Sequence, residues 1–301
     1  MAELKTKLGR LELQNPIVTA SGTFGYGTEF TDFVDLDRIG AITLKSVTME
    51  AKIGNIPPRI AETPSGMMNS IGLENNGIQD LIKRRLPALE GYKNLKVIAN
   101  IAGHSIEENI ECARILEKEK RVDALELNIS CPNVAAGGLS FCFDLPVVEK
   151  LISKVRDEYS GPLIVKLSAS VPDIVKLAEV SIKAGAEILS LINTIPAMEV
   201  DITSRKLFFK RGVAGLSGPA IRPIALKAIY DVASHFKIPI IGIGGVSSIE
   251  DVLKFLIIGA DAVSIGMMNF INPKIAETLI DELDEYLNTN KLTLAELTLQ
   301  S

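Results

Sequence analysis

Eight short runs rich in β-branched and other aliphatic residues recur along this chain, each bounded by turn-forming residues and followed by a stretch with helical spacing. They cover residues 17–20, 41–45, 97–101, 124–129, 163–167, 188–192, 239–243 and 262–265. Parallel strands joined by helical crossovers are covered on both faces, so they read as continuous apolar runs rather than alternating ones. The helical stretches are 77–89, 105–118, 145–158, 172–184, 220–234, 249–258 and 273–287, while the first crossover, 29–36, is short. No shift in composition marks a linker. The pattern predicts an α/β fold, one closed (β/α)8 or TIM barrel over residues 1–301 as a single domain, with an open doubly wound sheet as the alternative.

Residues 5–13 read as two short extended pieces around Gly9-Arg10, an N-terminal hairpin laid over the barrel floor. Three strand-to-helix connections, 46–76, 130–144 and 194–219, are longer than a barrel needs. Long loops of this kind cover the C-terminal face, where barrels of this class carry their active sites.

Composition narrows the partners. A net charge of −5 without a basic stripe argues against nucleic acid, which takes clustered Lys and Arg to neutralise. No apolar run approaches the roughly 20 residues needed to cross a bilayer, and residues 1–10 lack the apolar centre of a signal peptide, so a cytoplasmic protein with no membrane contact is expected. The three cysteines, Cys112, Cys131 and Cys142, form no CxxC pair and are too few for a disulfide framework or an ordinary iron–sulphur cluster. Neither they nor His104 and His235 suggest a metal site. Cys112, within a helical pattern, reads as core.

The segment Asn128-Ile129-Ser130-Cys131-Pro132-Asn133 concentrates a thiol, a hydroxyl and two carboxamides directly after the fourth apolar run. Its donors and acceptors need partners, which a bound polar molecule would supply. The other strand ends are equally unusual. Ser21-Gly22 follows the first, Lys45-Ser46 the second, Asn100 the third and Asn193-Thr194 the sixth, while Lys166 ends the fifth. In a barrel these positions converge on one mouth. Gly244-Gly245 and Gly266 follow strands seven and eight, where this fold often binds a phosphate on bare backbone N–H groups. No GxGxxG follows a strand, so a Rossmann-type NAD site is not expected.

These residues give the chain a resemblance to the FMN-dependent dihydroorotate dehydrogenases, specifically the catalytic subunits of the class 1B, NAD-linked type. The similarity runs through Ala20-Ser21-Gly22-Thr23-Phe24-Gly25, Asn69-Ser70-Ile71-Gly72-Leu73, the Cys131 segment, Val165-Lys166-Leu167, Ile192-Asn193-Thr194, Gly215-Leu216-Ser217-Gly218-Pro219-Ala220 and Gly242-Ile243-Gly244-Gly245-Val246. It implies one FMN per chain, its phosphate on Gly244, Gly245, Gly266 and Met267, with Ser21, Lys45, Ser46, Asn100, Asn128, Lys166, Ile192 and Gly218 lining the rest. A fixed ammonium at Lys166 suits the flavin N1 and C2 oxygen, where it stabilises the anionic reduced ring.

The resemblance further implies that Lys45, Asn69, Ser70, Ile71, Gly72, Leu73, Asn128, Asn133, Asn193 and Thr194 hold dihydroorotate or orotate. Cys131 is then the base that takes the C5 proton while the C6 hydride goes to FMN, a reaction of de novo pyrimidine biosynthesis. A thiol of ordinary pKa, about 8.5, makes activity rise toward alkaline pH. The implied assembly is a heterotetramer containing a homodimer of catalytic chains, with a partner electron-transfer subunit carrying FAD and a 2Fe–2S cluster that reduces NAD.

Three departures from the family pattern stand out. Phe141-Cys142-Phe143-Asp144-Leu145 replaces a Gly-Thr-Asp-Pro type of sequence, Met267 replaces a smaller residue, and Asn75-Asn76 lacks a usual proline. A fumarate-reducing enzyme of class 1A type is the alternative reading, and a flavin-free phosphate-sugar isomerase or lyase barrel a more remote one.

Overall fold

The structure, a computed structural model, describes residues 3–130 and 141–300. The first elements are the antiparallel hairpin β1 (Thr6–Leu8) and β2 (Leu11–Leu13), then β3 (Ile17–Thr19), β4 (Ala41–Thr43), β5 (Ile60–Thr63), β6 (Gly66–Asn69) and α1 (Gly77–Asp80). There follow β7 (Lys96–Ile101), α2 (Ile106–Leu116), β8 (Ala124–Asn128), α3 (Leu145–Glu158), β9 (Leu163–Leu167), α4 (Ile174–Lys183) and β10 (Ile188–Leu191). The remainder comprises β11 (Ile195–Met198), β12 (Val200–Asp201), β13 (Lys206–Leu207), β14 (Val213–Ser217), α5 (Arg222–His235), β15 (Ile240–Ile243), α6 (Ile249–Ile257), β16 (Ala262–Ile265), α7 (Met268–Ile271) and α8 (Ile275–Asn290).

Strands β3, β4, β7, β8, β9, β10, β15 and β16 pair in that order, all parallel, and β16 closes on β3. This is the (β/α)8 barrel that the eight apolar runs predict. Alternation along each strand divides the core in two. Val18, Ala41, Ile98, Ala124, Ile164, Ile188, Ile241 and Ala262 face inward and meet Leu8, Leu11 and Leu13 of the hairpin, which plugs the floor. Ile17, Ile42, Val97, Leu125, Leu163, Val165, Leu189 and Val263 belong instead to the larger cluster that includes residues of the surrounding helices. Helix starts are fixed locally: Ser105, Asp144 and Asp173 accept hydrogen bonds from the backbone N–H groups of Glu108, Val147 and Lys176, respectively.

Two stretches depart from the simple helical reading. Residues 77–89 form α1, a wider turn over Leu81–Arg85 and a tight turn over Pro87–Leu89, because Pro87 has no N–H with which to continue a helix. The first crossover is two single turns, Thr28–Phe30 and Leu36–Arg38, rather than a helix. It is pinned at the floor by Asn15, whose amide donates to the Arg38 carbonyl and whose Oδ1 accepts from the Ile17 N–H. Gly40 sits against this pin, where a Cβ would lie 2.2 Å from the Asn15 carbonyl oxygen. Gly40→Ala is therefore expected to cost about 1–3 kcal/mol through forced displacement of backbone, measured as a lower urea midpoint.

Two of the long connections, 46–76 and 194–219, are not irregular. β5 and β6 from the 46–76 connection and β11 and β14 from the 194–219 connection form one four-stranded antiparallel sheet, in the order β11-β14-β6-β5. Its central seam pairs Gly215 with Asn69, Leu216 with Met68 and Ser217 with Met67. Met68, Phe209 and Ala214 make a small separate core beneath it. This sheet roofs one side of the barrel mouth. No helix among the described residues is long and apolar enough to cross a membrane.

Candidate active site

A cavity of about 890 Å3 opens at the C-terminal ends of the barrel strands. That volume is within the roughly 300–1,000 Å3 of small-molecule sites. Its walls bring together nearly every strand-end residue singled out in the sequence: Ser21, Lys45, Ser46, Asn128, Lys166, Ile192, Asn193, Thr194, Gly218, Gly244, Gly245, Gly266 and Met267. The connection after β4 adds Asn69, Ser70, Ile71, Gly72 and Leu73 from the roof sheet and the turn that follows it. Cys131 and Asn133 lie outside the described residues. The described chain reaches the cavity at Asn128 and Ser130 and lines it again at Cys142 and Phe143.

Asn100 is the exception. It does not line the cavity but sits in β7 one tier lower, 1 % exposed, with its amide donating 2.5 Å to Glu126 Oε1. Asn100 is expected at the mouth because it stands near the carboxyl end of the 97–101 run, but in β7, which ends at Ile101 as expected, its side chain is taken up by Glu126 in the tier below.

Polar contacts order the walls. Ser21 Oγ donates to the Leu44 carbonyl at 2.7 Å and lies 3.2 Å from Ser46 Oγ, tying the ends of the first two barrel strands together. Asn193 donates to Asn128 Oδ1 at 3.2 Å, and its own Oδ1 accepts from the Thr194 N–H, so both carboxamides are held on one side. Asn69 donates to the Gly215 carbonyl across the roof seam. Asn55, which the sequence did not single out, donates to Ser70 Oγ and lines the cavity too. Asn75 proves to be a turn former that binds Thr48, the Leu73 carbonyl and the Gly77 N–H.

Lys45 and Lys166 line this space, and the exposed Arg211 lines it as well. Burial pushes the Lys45 ammonium below the ordinary lysine range, and the charge of Glu74 opposes the shift only in part. Lys166 is 7 % exposed, and its Nζ lies 3.9 Å from Glu126 Oε1. Glu126 was overlooked in the sequence, although a lone carboxylate within the apolar run Ala124-Leu125-Glu126-Leu127 was signal enough. Of the remaining thiols, Cys112 is fully buried and pushed up to about 12 by burial, an inert core residue. Cys142, 3 % exposed, lines the cavity. His104 lines it as well, and its Nδ1 has no hydrogen-bond partner among the described residues. His235 instead places Nδ1 2.6 Å from the Asp231 carbonyl at the end of α5.

Glycine shapes the far wall. Gly218, Gly244 and Gly245 all have positive φ, and a Cβ on Gly245 would lie 2.7 Å from the Gly218 carbonyl oxygen. Met267 packs its sulphur against Gly218, so the larger side chain at this position fills space beside the glycines. At Gly266 nothing lies nearer an added Cβ than Ala20 at 3.9 Å, which leaves that face of the loop open.

Barrels of this architecture carry their catalytic centres on this face, and fold and cavity together put the chain among the (β/α)8 enzymes. Within that class the chain belongs to the dihydroorotate dehydrogenase family, whose model, described as dihydroorotate dehydrogenase, matches residues 3–287. The chain is 45% identical over 288 residues, 96% of its length and 94% of the relative's, to a Geotalea uraniireducens protein named "Dihydroorotate dehydrogenase B (NAD(+)), catalytic subunit". Proteins of the same name from Thermodesulfovibrio yellowstonii and Listeria welshimeri are 46% identical over 287 residues and 48% identical over 284. Those two matches span 95% and 94% of this chain, and 94% and 93% of the relatives.

The family implies a flavin cofactor, and the residues present fit one. The cavity is large enough, and its glycine wall lets a ligand approach the backbone at Gly266. Beneath lies a buried polar tier in which Asn100 Oδ1 has no partner among the described residues.

Proposed function

We propose that this chain is the catalytic subunit of an NAD-linked dihydroorotate dehydrogenase and binds FMN in the cavity at the barrel mouth. The observation that carries this reading is the convergence of Lys45, Lys166, Asn69, Asn128, Asn193 and the Gly244-Gly245 pair on one cavity in a chain of this family. Gly244, Gly245, Gly266 and Met267 would hold the phosphate. Ser21, Lys45, Ser46, Asn128, Lys166, Ile192 and Gly218 would surround the rest of the cofactor, with Asn100 acting from the tier below. When bound, FMN supplies the two-electron acceptor for the hydride that leaves C6 of dihydroorotate.

The chain's own residues do the remaining work. Asn69, Asn128, Asn193 and Thr194, with Asn133, offer both donors and acceptors to a ring that carries two carbonyls and two N–H groups. Lys45 presents a half-buried positive charge, which suits the substrate's carboxylate, and the backbone of Ile71, Gly72 and Leu73 closes around the ligand beside Ser70. Cys131 removes the C5 proton as thiolate. The roof sheet and Phe143 limit water on that side.

The name of the relatives, "catalytic subunit", describes them as parts of larger assemblies. In this reading a partner subunit carrying FAD and a 2Fe–2S cluster takes the electrons to NAD, within a heterotetramer built on two catalytic chains in the cytoplasm. Orotate formation measured against NAD, fumarate and quinone, with and without the co-purified partner, tests the assignment. NAD-dependent turnover is expected only with the partner, and rapid fumarate-dependent turnover by the FMN-loaded chain alone would reject it.

A further inference from the structure

One tier below the cavity the barrel interior changes from aliphatic to polar. Glu126 on β8 is 2 % exposed, and its two oxygens are separately engaged: Asn100 donates to Oε1 at 2.5 Å and Ser190 Oγ to Oε2 at 2.7 Å. Register explains the gathering, since Asn100 and Glu126 are partners across β7 and β8, and Lys166 and Ser190 across β9 and β10. All four side chains are buried. A charge at this depth loses its hydration, and a tier of packed aliphatic residues is often as stable or more so, so fold stability alone does not account for a carboxylate here.

Lys166 supplies the reason. Its Nζ is 3.9 Å from Glu126 Oε1, close enough for strong attraction and too far for a direct hydrogen bond, so its three N–H donors remain available to the cavity that it lines. Asn100, anchored to the same carboxylate through its amide, keeps an Oδ1 with no partner among the described residues. We propose that Glu126 is a positioning residue that fixes the Lys166 ammonium and the Asn100 amide and trims the positive charge that Lys166 presents to a flavin ring in the cavity. This inference rests on the flavin reading above and deepens it. An excess of positive charge near the ring favours the electron-rich reduced flavin, so the carboxylate holds the potential down and lets electrons leave.

The test is the midpoint potential of bound FMN in the wild-type chain, Glu126→Gln and Ser190→Ala, measured together with FMN dissociation constants and melting temperatures. Glu126→Gln keeps the shape of the side chain while removing its charge; its carbonyl oxygen can still accept from Asn100, and its amide can donate to a reoriented Ser190 hydroxyl. Its potential is expected to move positive, corresponding to roughly a tenfold or larger gain in the preference for reduced over oxidised FMN. Ser190→Ala withdraws one donor from the carboxylate, concentrates its negative charge and is expected to move the potential negative by a smaller amount. No shift in either variant, or shifts of the same sign, would overturn the proposal and leave Glu126 as scaffold. Where Glu126→Gln does not fold or load, an unchanged potential in Ser190→Ala suffices to overturn it. A wild-type chain that binds no FMN fails the flavin reading itself, which is a different result.

Discussion

Cys131→Ala is expected to lower kcat for dihydroorotate oxidation by about 10²–10⁴-fold, the usual contribution of a positioned general base, while the protein stays yellow. Those two readouts separate chemistry from cofactor binding, because the residues proposed to hold FMN, apart from Asn128 at the end of β8, lie on other strands and loops. Wild-type kcat should rise with pH as the thiol ionises, and this limb should disappear in the variant. Steady-state rates between pH 6 and 10, with the flavin absorbance of each sample, are the measurement. Colourless variant protein would make Cys131 a scaffold element, and undiminished turnover would remove it from the reaction.

Lys166→Met carries the second large effect. It leaves the Glu126 carboxylate 2 % exposed with Asn100 and Ser190 as its donors and no opposing charge among the described residues. Breaking a buried pair from one side costs about 3–5 kcal/mol. The 3.9 Å separation and the two remaining hydrogen bonds place the loss at the lower end, about 3 kcal/mol, seen as a lower urea midpoint of the flavin-free protein. The double variant Lys166→Met with Glu126→Gln should recover much of it, since the unpaired charge is gone. FMN affinity should fall in both. Full stability in Lys166→Met would mean that the pair contributes nothing to the fold.

Most of the architecture was legible because a buried parallel strand leaves a plain mark. The runs at 124–129 and 163–167 appear as β8 and β9 with ends within a residue or so, and Gly9-Arg10 turns the floor hairpin as expected. Strand-end residues such as Lys45, Lys166 and Asn193 could be assigned to one mouth because parallel closure leaves them no other place to meet. Periodicity cannot reveal pairing between segments about 150 residues apart, so the roof sheet was invisible. Pro196 and Gly215, both within it, even read as loop residues. The Glu126 tier was missed for a related reason: a single charge in an apolar run has no partner until neighbouring strands supply Asn100 and Ser190.

The roof has a consequence for how such a chain can vary. Two connections that leave the barrel after different strands share one hydrogen-bonded seam, with Asn69 on one side and Gly215 on the other. A one-residue insertion in either would slip the pairing and turn every following side chain to the opposite face. At Gly66 even an added methyl would collide with the Ser217 carbonyl, 2.1 Å away. Neither stretch is therefore interchangeable on its own, and a change of length in one requires a matching change in the other.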